Sequence, residues 1–188
     1  MGLTLELDHA VKVRSYPGSP RGGDTGMVVL HDDGALAVLI DASGHGLSAY
    51  AVAQKARAVI QQHPDAEPQE LLTMLDTALR GSDGAAASIA RIRGEKLTFA
   101  GLGNVAARID SVRLTTRTGI VGHRMRSPLV IESPFPCGSW LLMHTDGVSS
   151  PSTIPPGNAQ MVVQTLIDTH ASNTDDASVL ALRWQEKL

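Results

Sequence analysis

The sequence is poor in three features, and each shortage excludes a class of protein. Aromatic residues make up only 3% of its 188 residues, so leucine, valine, isoleucine and alanine must build the core. A single cysteine, Cys137, excludes an internal disulfide and fits a reducing compartment. No apolar run approaches the roughly 20 residues that a transmembrane helix needs. These shortages argue against a disulfide-framed secreted domain and against a protein that crosses a membrane on helices.

Basic charge is also scarce. The formal net charge is -3 and no stripe of lysine and arginine stands out, which argues against nucleic acid and anionic membranes as partners. Glu6 and Asp8 interrupt the apolar residues near the N-terminus, which is unlike a secretory signal peptide. With 43% hydrophobic and 19% charged residues, the composition is that of an ordinary globular protein. We therefore expect a soluble cytoplasmic protein with one domain over residues 1–188.

What the sequence does contain is a sharp junction between a strand and a helix, over residues 35–50. Residues 35–40 form an unbroken apolar run, which predicts a buried strand. The run is followed by Asp41, and then by Gly44 and Gly46 in a tight turn before a helix. An ionised carboxylate at the edge of a core is costly unless it is paired or binds a metal. A carboxylate, a glycine turn and a helix N-terminus together suit a cation and a phosphate.

Hydrophobic periodicity predicts a chain in which strands dominate. Two helices come together in the middle, and Leu71, Leu72, Leu75 and Leu79 fall on one face of the second. Because no alternation of strand and helix appears, we expect antiparallel sheets with helices packed on their outer faces. The predicted strands are 3–8, 27–30, 35–40, 86–92, 96–101, 105–109, 112–116, 129–131, 139–144 and 177–184, and the predicted helices are 47–62, 68–81 and 159–169. Val11 and Val13 either extend the first strand or begin its partner.

Acidic residues recur at strand ends or in short turns, at Asp24, Asp41, Asp146 and Asp175 with its neighbour Asp176. They are far apart in sequence, so only the fold can bring them together. Carboxylates that converge raise each other's pKa unless a divalent cation lies between them. Oxygen ligands select hard cations, Mg²⁺ or Mn²⁺, in preference to zinc.

These acids lie in four short motifs: Gly22-Gly23-Asp24, Asp41-Ala42-Ser43-Gly44-His45-Gly46, Thr145-Asp146-Gly147-Val148 and Asp175-Asp176. In this order the motifs resemble the SpoIIE branch of the metal-dependent (type-2C, PPM) protein phosphatases, from Asp24 to about Arg183. Since no sensor or linker segment accompanies the motifs, the chain is most similar to the stand-alone feedback phosphatases of the bacterial stressosome. The resemblance implies an α+β fold of four layers, α-β-β-α, with two antiparallel β-sheets flanked by helices.

The resemblance also implies the roles of the acids. Asp41 would bridge two Mn²⁺ or Mg²⁺ ions, and Asp24, Asp146 and Asp175 would be the remaining carboxylate ligands and catalytic residues. The backbone carbonyl of Ala42 would be a further metal ligand. The implied reaction is hydrolysis of phosphoserine or phosphothreonine by a water that attacks the phosphorus in line. No nucleophilic serine or cysteine is needed, so no phosphoenzyme is expected.

Three further residues are auxiliary candidates. Gly44 lets the backbone pass close to a ligand. His45 would either protonate the leaving oxygen or pack against the turn and orient Asp41 through a hydrogen bond, and we favour the second. Asp176 stands where the family commonly has a neutral asparagine, which leaves its role open.

The implied substrates are phosphorylated STAS-domain proteins of the stressosome, which would make the enzyme a negative-feedback regulator of stress signalling. Two alternatives stay open. One is a sporulation-type phosphatase that acts on an anti-anti-sigma factor. The other is a non-catalytic module that keeps the fold and binds a phosphoprotein. The complete set of carboxylates favours an enzyme, because pseudo-enzymes usually lose ligands.

Overall fold

Two antiparallel β-sheets lie face to face in the structure, a computed structural model that describes residues 5–123, 125 and 127–186. In chain order the elements are β1 (Leu5–Arg14), β2 (Asp24–His31), β3 (Gly34–Ala42), α1 (Gly46–Gln62), α2 (Pro68–Ala78), β4 (Ala85–Arg93), β5 (Lys96–Leu102), β6 (Ala106–Ile109), β7 (Val112–Leu114), β8 (Val130–Pro134), β9 (Trp140–His144), α3 (Ala159–His170) and β10 (Ala177–Glu186). In the described part of the chain, no helix is both long enough and apolar enough to span a bilayer.

Each sheet has five strands, and every neighbouring pair runs antiparallel. The first sheet has the order β1-β10-β9-β6-β7, and the second has the order β2-β3-β4-β5-β8. Helices α1 and α2 pack on the outer face of the second sheet, and α3 packs on the outer face of the first. The predicted α+β class and the four-layer α-β-β-α arrangement are therefore confirmed.

Strand β3 shows why the apolar run is continuous. Leu36, Val38 and Ile40 pack against α1 and α2, whereas Ala35, Ala37 and Leu39 face the first sheet. Because successive side chains of a strand point to opposite faces, a strand covered on both sides needs an apolar residue at every position. The predicted leucine stripe of α2 packs in the core, on the side of β3 that carries Leu36, Val38 and Ile40.

The predicted boundaries differ from the observed ones at a few ends. The first strand continues to Arg14 as one element, and the start of its prediction at Leu3 lies outside the described residues. Strand β7 ends at Leu114 instead of Thr116. The reason is that the Thr116 hydroxyl donates to the carbonyl of Gly103, so the chain has already left the first sheet for the end of β5 in the second.

Candidate metal centre

Asp24 and Asp41 are paired across the β2–β3 hairpin. Asp24 is the first residue of β2, and its register partner on β3 is Asp41. Paired positions in an antiparallel ladder place their side chains on the same face, close to each other. The hairpin register alone therefore brings two of the predicted ligands together.

The other two predicted ligands lie at the matching end of the first sheet. Asp146 follows β9, Asp175 precedes β10, and these two strands are antiparallel neighbours. The hydroxyls of Thr145 and Ser178 each donate to Oδ2 of Asp24 over 2.8 Å. These two bonds connect the ends of the two sheets, so all four acids lie at one end of the sandwich.

Asp41, Asp146 and Asp175 line a cleft of about 520 Å³ at this end. Asp41 is half-buried, whereas Asp146 and Asp175 are exposed at the rim. None of the described residues that line the cleft is a lysine, an arginine or a histidine. The carboxylates therefore face one another without a cationic side chain on the cleft wall.

Burial and mutual repulsion shift the protonation of these acids. Burial raises the pKa of Asp24 to about 7, with a further rise from Asp176 and Asp175, while the Ser178 and Thr145 hydroxyls act in the opposite direction. Burial also raises the pKa of Asp41 to about 8, and the charges of Asp24, Asp146 and Asp175 add to it.

At the rim, partial desolvation raises the pKa of Asp175 as well. The neighbouring charges of Asp146 and Asp176 act in the same direction. With pKa values of about 7 and about 8, Asp24 and Asp41 retain protons near neutral pH that a divalent cation would displace.

The donor chemistry of the cleft fits Mn²⁺ or Mg²⁺, because its convergent ligands are carboxylate oxygens. As the side chains are placed, no three His, Cys, Asp or Glu residues among those described are grouped so that they could hold a metal ion. Asp24 directs Oδ2 to the Thr145 and Ser178 hydroxyls. The fit is one of ligand type and charge, and side chains in the cleft must move to surround an ion.

Comparison with known proteins identifies the fold. No protein-family model and no curated protein sequence matches the chain. Solved structures do match: a protein from work on the bacterial stressosome, a modular system adapted to control secondary messenger signalling, is 22% identical with a TM-score of 0.88. That match covers 95% of this chain and 100% of the other. RsbX in complex with magnesium is 17% identical with a TM-score of 0.86, covering 97% of this chain and 100% of RsbX.

A third match is the catalytic domain of the serine/threonine protein phosphatase PstP in complex with two manganese ions. It is 15% identical with a TM-score of 0.79, and the match covers 97% of this chain and 100% of that domain. This chain has the PPM phosphatase fold. RsbX and the PstP domain share this fold with the chain.

Within this PPM fold, Asp176 has a structural role that the sequence left open. Its side chain is buried, Oδ1 accepts a hydrogen bond from the Tyr16 amide over 2.7 Å, and Oδ2 accepts one from the Gly23 amide over 2.6 Å. A Cβ at Gly22 would lie 2.6 Å from Oδ1 of Asp176. Asp176 therefore holds the glycine loop that leads into Asp24, and the loop needs glycine at this point of close approach.

The predictions made for the residues next to Asp41 compare differently with the structure. Gly44 lines the cleft with a φ of +87°, a conformation that favours glycine. His45 is exposed before α1, and its side chain forms no hydrogen bond with any described residue. The predicted bond from His45 to Asp41 is therefore wrong. Ala42 is buried with its carbonyl oxygen close to Gly23, so its role as a metal ligand stays a prediction.

Sequence reasoning missed three polar residues that support the acids. Asn104 donates from Nδ2 to Oδ2 of Asp146 over 2.6 Å, and Thr145 and Ser178 hold Asp24. Thr145 belongs to a motif that was noticed for its aspartate alone. Asn104 follows a glycine between two strands, which indicates only a turn, and Ser178 lies in an otherwise apolar strand. Their roles depend on contacts between segments that are distant in sequence.

Proposed function

We propose that this protein is a Mn²⁺- or Mg²⁺-dependent protein serine/threonine phosphatase that acts on phosphorylated STAS-domain proteins of a stressosome. The observation that carries the proposal is that Asp41, Asp146 and Asp175 line one cleft, with Asp24 paired to Asp41 across the β2–β3 hairpin. None of the described residues on the cleft wall is a lysine, an arginine or a histidine. The shared fold supports it, because RsbX and PstP were solved with magnesium and with manganese. From the resemblance of the motifs, we also propose a negative-feedback role in stress signalling.

The four carboxylates would hold two ions, with the Ala42 carbonyl as a further ligand. When bound, such ions lower the pKa of a water and neutralise phosphoryl oxygens. Asn104 orients Asp146 by donating to its Oδ2, and the hydroxyls of Thr145 and Ser178 fix Oδ2 of Asp24. These three residues act through the carboxylates and hold each in one orientation.

The cleft suits a phosphorylated side chain on the surface of a folded protein. Its walls are formed by short turns, including Gly44, Gly103 and Gly119, which leave room for a ligand to approach the backbone. Ser43 and Thr118 offer hydroxyls on this wall, but no histidine among the described residues lines it to activate them as nucleophiles. Direct attack by water, without a phosphoenzyme, is therefore the reaction that the wall supports.

The proposal is tested with para-nitrophenyl phosphate and a phosphorylated STAS domain, each with and without Mn²⁺. We expect turnover of both substrates that requires Mn²⁺ or Mg²⁺ and is lost when EDTA is added. Turnover that persists in EDTA, or no turnover with either metal, would contradict the proposal. Asp168→Asn, which changes the charge of an exposed acid on α3, is the matched control for substitutions in the cleft.

A non-catalytic phosphoprotein-binding module is the second candidate. It is favoured by one observation, which is that no three acids or histidines among the described residues are grouped to hold an ion as placed. Isothermal calorimetry with Mn²⁺ separates the two candidates. Uptake of Mn²⁺ that Asp41→Asn abolishes supports the phosphatase, whereas binding of a phosphorylated STAS domain without any Mn²⁺ uptake supports the module.

A further inference from the structure

One stretch of the sequence is locally basic. Residues 111–131 include four arginines and no carboxylate, in a chain whose formal net charge is -3. One of them, Arg117, is exposed and lines a cavity of about 580 Å³. The net charge of the chain does not show this local excess of arginine, because acidic residues elsewhere outnumber the basic ones.

The Arg117 cavity adjoins the carboxylate cleft. Thr118, Gly119 and Ile120 line both of them, so the two are separated by one short segment of chain. Leu102 contributes apolar surface to the Arg117 cavity. A peptide whose phosphoserine occupied the cleft would therefore place its neighbouring residues over a partly apolar surface with a guanidinium beside it.

The backbone that carries Arg117 is held at fixed positions. Its amide donates to the carbonyl of Gly101 over 3.0 Å, and its carbonyl accepts from the amide of Gly103 over 2.8 Å. Four residues later, Val121 exchanges two backbone hydrogen bonds with Ala85, of 2.8 and 3.1 Å. The segment that separates the cavity from the cleft is thus attached to β5 at one end and to β4 at the other.

A buried carboxylate attaches the next part of the same segment. Oδ1 of Asp76, on α2, accepts hydrogen bonds from the amides of Gly122 and Met125, over 2.9 and 3.1 Å. A binding group on a backbone that is already ordered loses little conformational entropy when it binds, which increases both affinity and selectivity.

The charge of Arg117 has no carboxylate partner among the described residues. Among the described arginines only Arg80, Arg93 and Arg183 form ion pairs with a carboxylate, so what distinguishes Arg117 is its position in the cavity beside the cleft. A planar guanidinium matches a carboxylate with two parallel hydrogen bonds, which is the contact that a single exposed arginine makes best.

We propose that Arg117 determines substrate specificity by binding an acidic side chain close to the phosphoserine of the protein substrate. This inference rests on the proposed phosphatase function and adds to it a substrate class, which is a phosphorylated residue within an acidic surface segment. The occupant of the Arg117 cavity is therefore the flanking segment of the substrate itself, selected by complementary charge.

The test compares two phosphoserine peptides of equal length, one with glutamates and one with lysines on both sides of the phosphoserine. The readout is the ratio of kcat/KM for the acidic peptide to that for the basic peptide, in the full chain with Mn²⁺. We expect Arg117→Glu to lower this ratio about tenfold, and added salt to lower the wild-type ratio. Arg113→Glu is the matched control, because Arg113 is exposed in the same basic stretch and lines neither cavity; its ratio stays within about twofold of wild type.

Equal ratios in Arg117→Glu and Arg113→Glu would overturn the inference while leaving the phosphatase function intact. Wild-type turnover of para-nitrophenyl phosphate without turnover of either peptide would overturn it as well. A failure of the proposed phosphatase function would look different from a failure of this inference. In that case the wild type would show no metal-dependent turnover of para-nitrophenyl phosphate. If circular dichroism shows that Arg117→Glu does not fold, Arg117→Gln is measured instead, and we expect its ratio to fall about threefold.

Discussion

Two pairs of acids in this protein have opposite surroundings. Asp76 and Asp176 are 5% and 7% exposed, and each accepts hydrogen bonds from two backbone amides. Asp24 is equally buried at 7% exposure, yet its only donors among the described residues are two hydroxyls, and its neighbour Asp41 faces other carboxylates. For Asp24 the difference is in the partners, because it is buried to the same degree as Asp76 and Asp176, whereas Asp41 is half-buried.

This comparison separates acids that stabilise the fold from acids that need a ligand. Backbone amides offset the cost of burying a charge, and they attach loops at the same time. Two hydroxyls do so only in part, since burial still raises the pKa of Asp24 to about 7. The protein does not fully compensate the charge of the carboxyls at the cleft. Such carboxyls are candidates for binding a cation.

The largest effect is expected from Asp41→Asn. Mn²⁺-dependent hydrolysis of para-nitrophenyl phosphate should fall about 1000-fold or more, because a neutral amide would bind the proposed cations far more weakly than a carboxylate does. The melting temperature should stay the same or rise, since burial already favours the uncharged form of this side chain. Asp168→Asn should retain wild-type activity. An Asp41→Asn protein that keeps more than about a tenth of the activity would place Asp41 outside the catalytic set.

Asp176→Ala tests the other side of the comparison. It should lower the free energy of unfolding by about 2–4 kcal/mol, because the amides of Tyr16 and Gly23 both lose their acceptor. Urea denaturation measures this loss, and Asp176→Asn should cost less, since its amide oxygen still accepts one bond. If Asp176→Ala were as stable as wild type but inactive with saturating Mn²⁺, Asp176 would act as a ligand and the comparison would fail.

Asn104→Ala should have a smaller effect, confined to the affinity for metal. Without the 2.6 Å bond from Asn104, Asp146 loses its fixed orientation, and the Mn²⁺ concentration that gives half-maximal activity should rise about tenfold. Metal titrations of wild type and variant measure the shift, with kcat at saturating Mn²⁺ little changed. A fall in kcat with an unchanged metal requirement would instead indicate direct contact between Asn104 and the substrate.

The smallest effect is a dependence of stability on pH in the presence of a chelator. The pKa values of Asp24 and Asp41 are about 7 and about 8 in the folded protein against 3.8 for an unperturbed aspartate. Above pH 3.8 the folded state therefore binds more protons than the unfolded state. The stability that these two groups contribute is fully present below pH 3.8 and is lost as pH rises through 7 and 8. Between these limits the melting temperature should fall by at least several degrees.

Two controls accompany the pH measurement. Thermal unfolding in EDTA should show a shallower fall for Asp41→Asn, because one of the two titrating groups is gone. Addition of Mn²⁺ at high pH should restore the melting temperature of the wild type. A flat profile in EDTA would mean that the cleft acids carry their charge without cost, and the contrast with Asp76 and Asp176 would disappear.

Much of the fold was predictable because its signals are local. The apolar run of β3 and the leucine stripe of α2 each reflect which faces are covered, and that information lies within a few residues of sequence. The end of β7 was not predictable, since it depends on the bond between Thr116 and the carbonyl of Gly103 in the other sheet. The acids of the site were predictable from their motifs, whereas the supporting role of Asn104 was not.

By itself, the sequence determined the strand and helix order, the covered faces and the identity of the acids, because periodicity and turn chemistry depend on neighbouring residues. Only the tertiary structure decided which acid serves which purpose. Asp175 and Asp176 are adjacent and chemically identical, yet one reaches the rim of the cleft and the other bonds to the amides of Tyr16 and Gly23. The two aspartates differ because a different distant segment packs against each carboxylate. The neighbouring residues in the sequence carry no information about that packing.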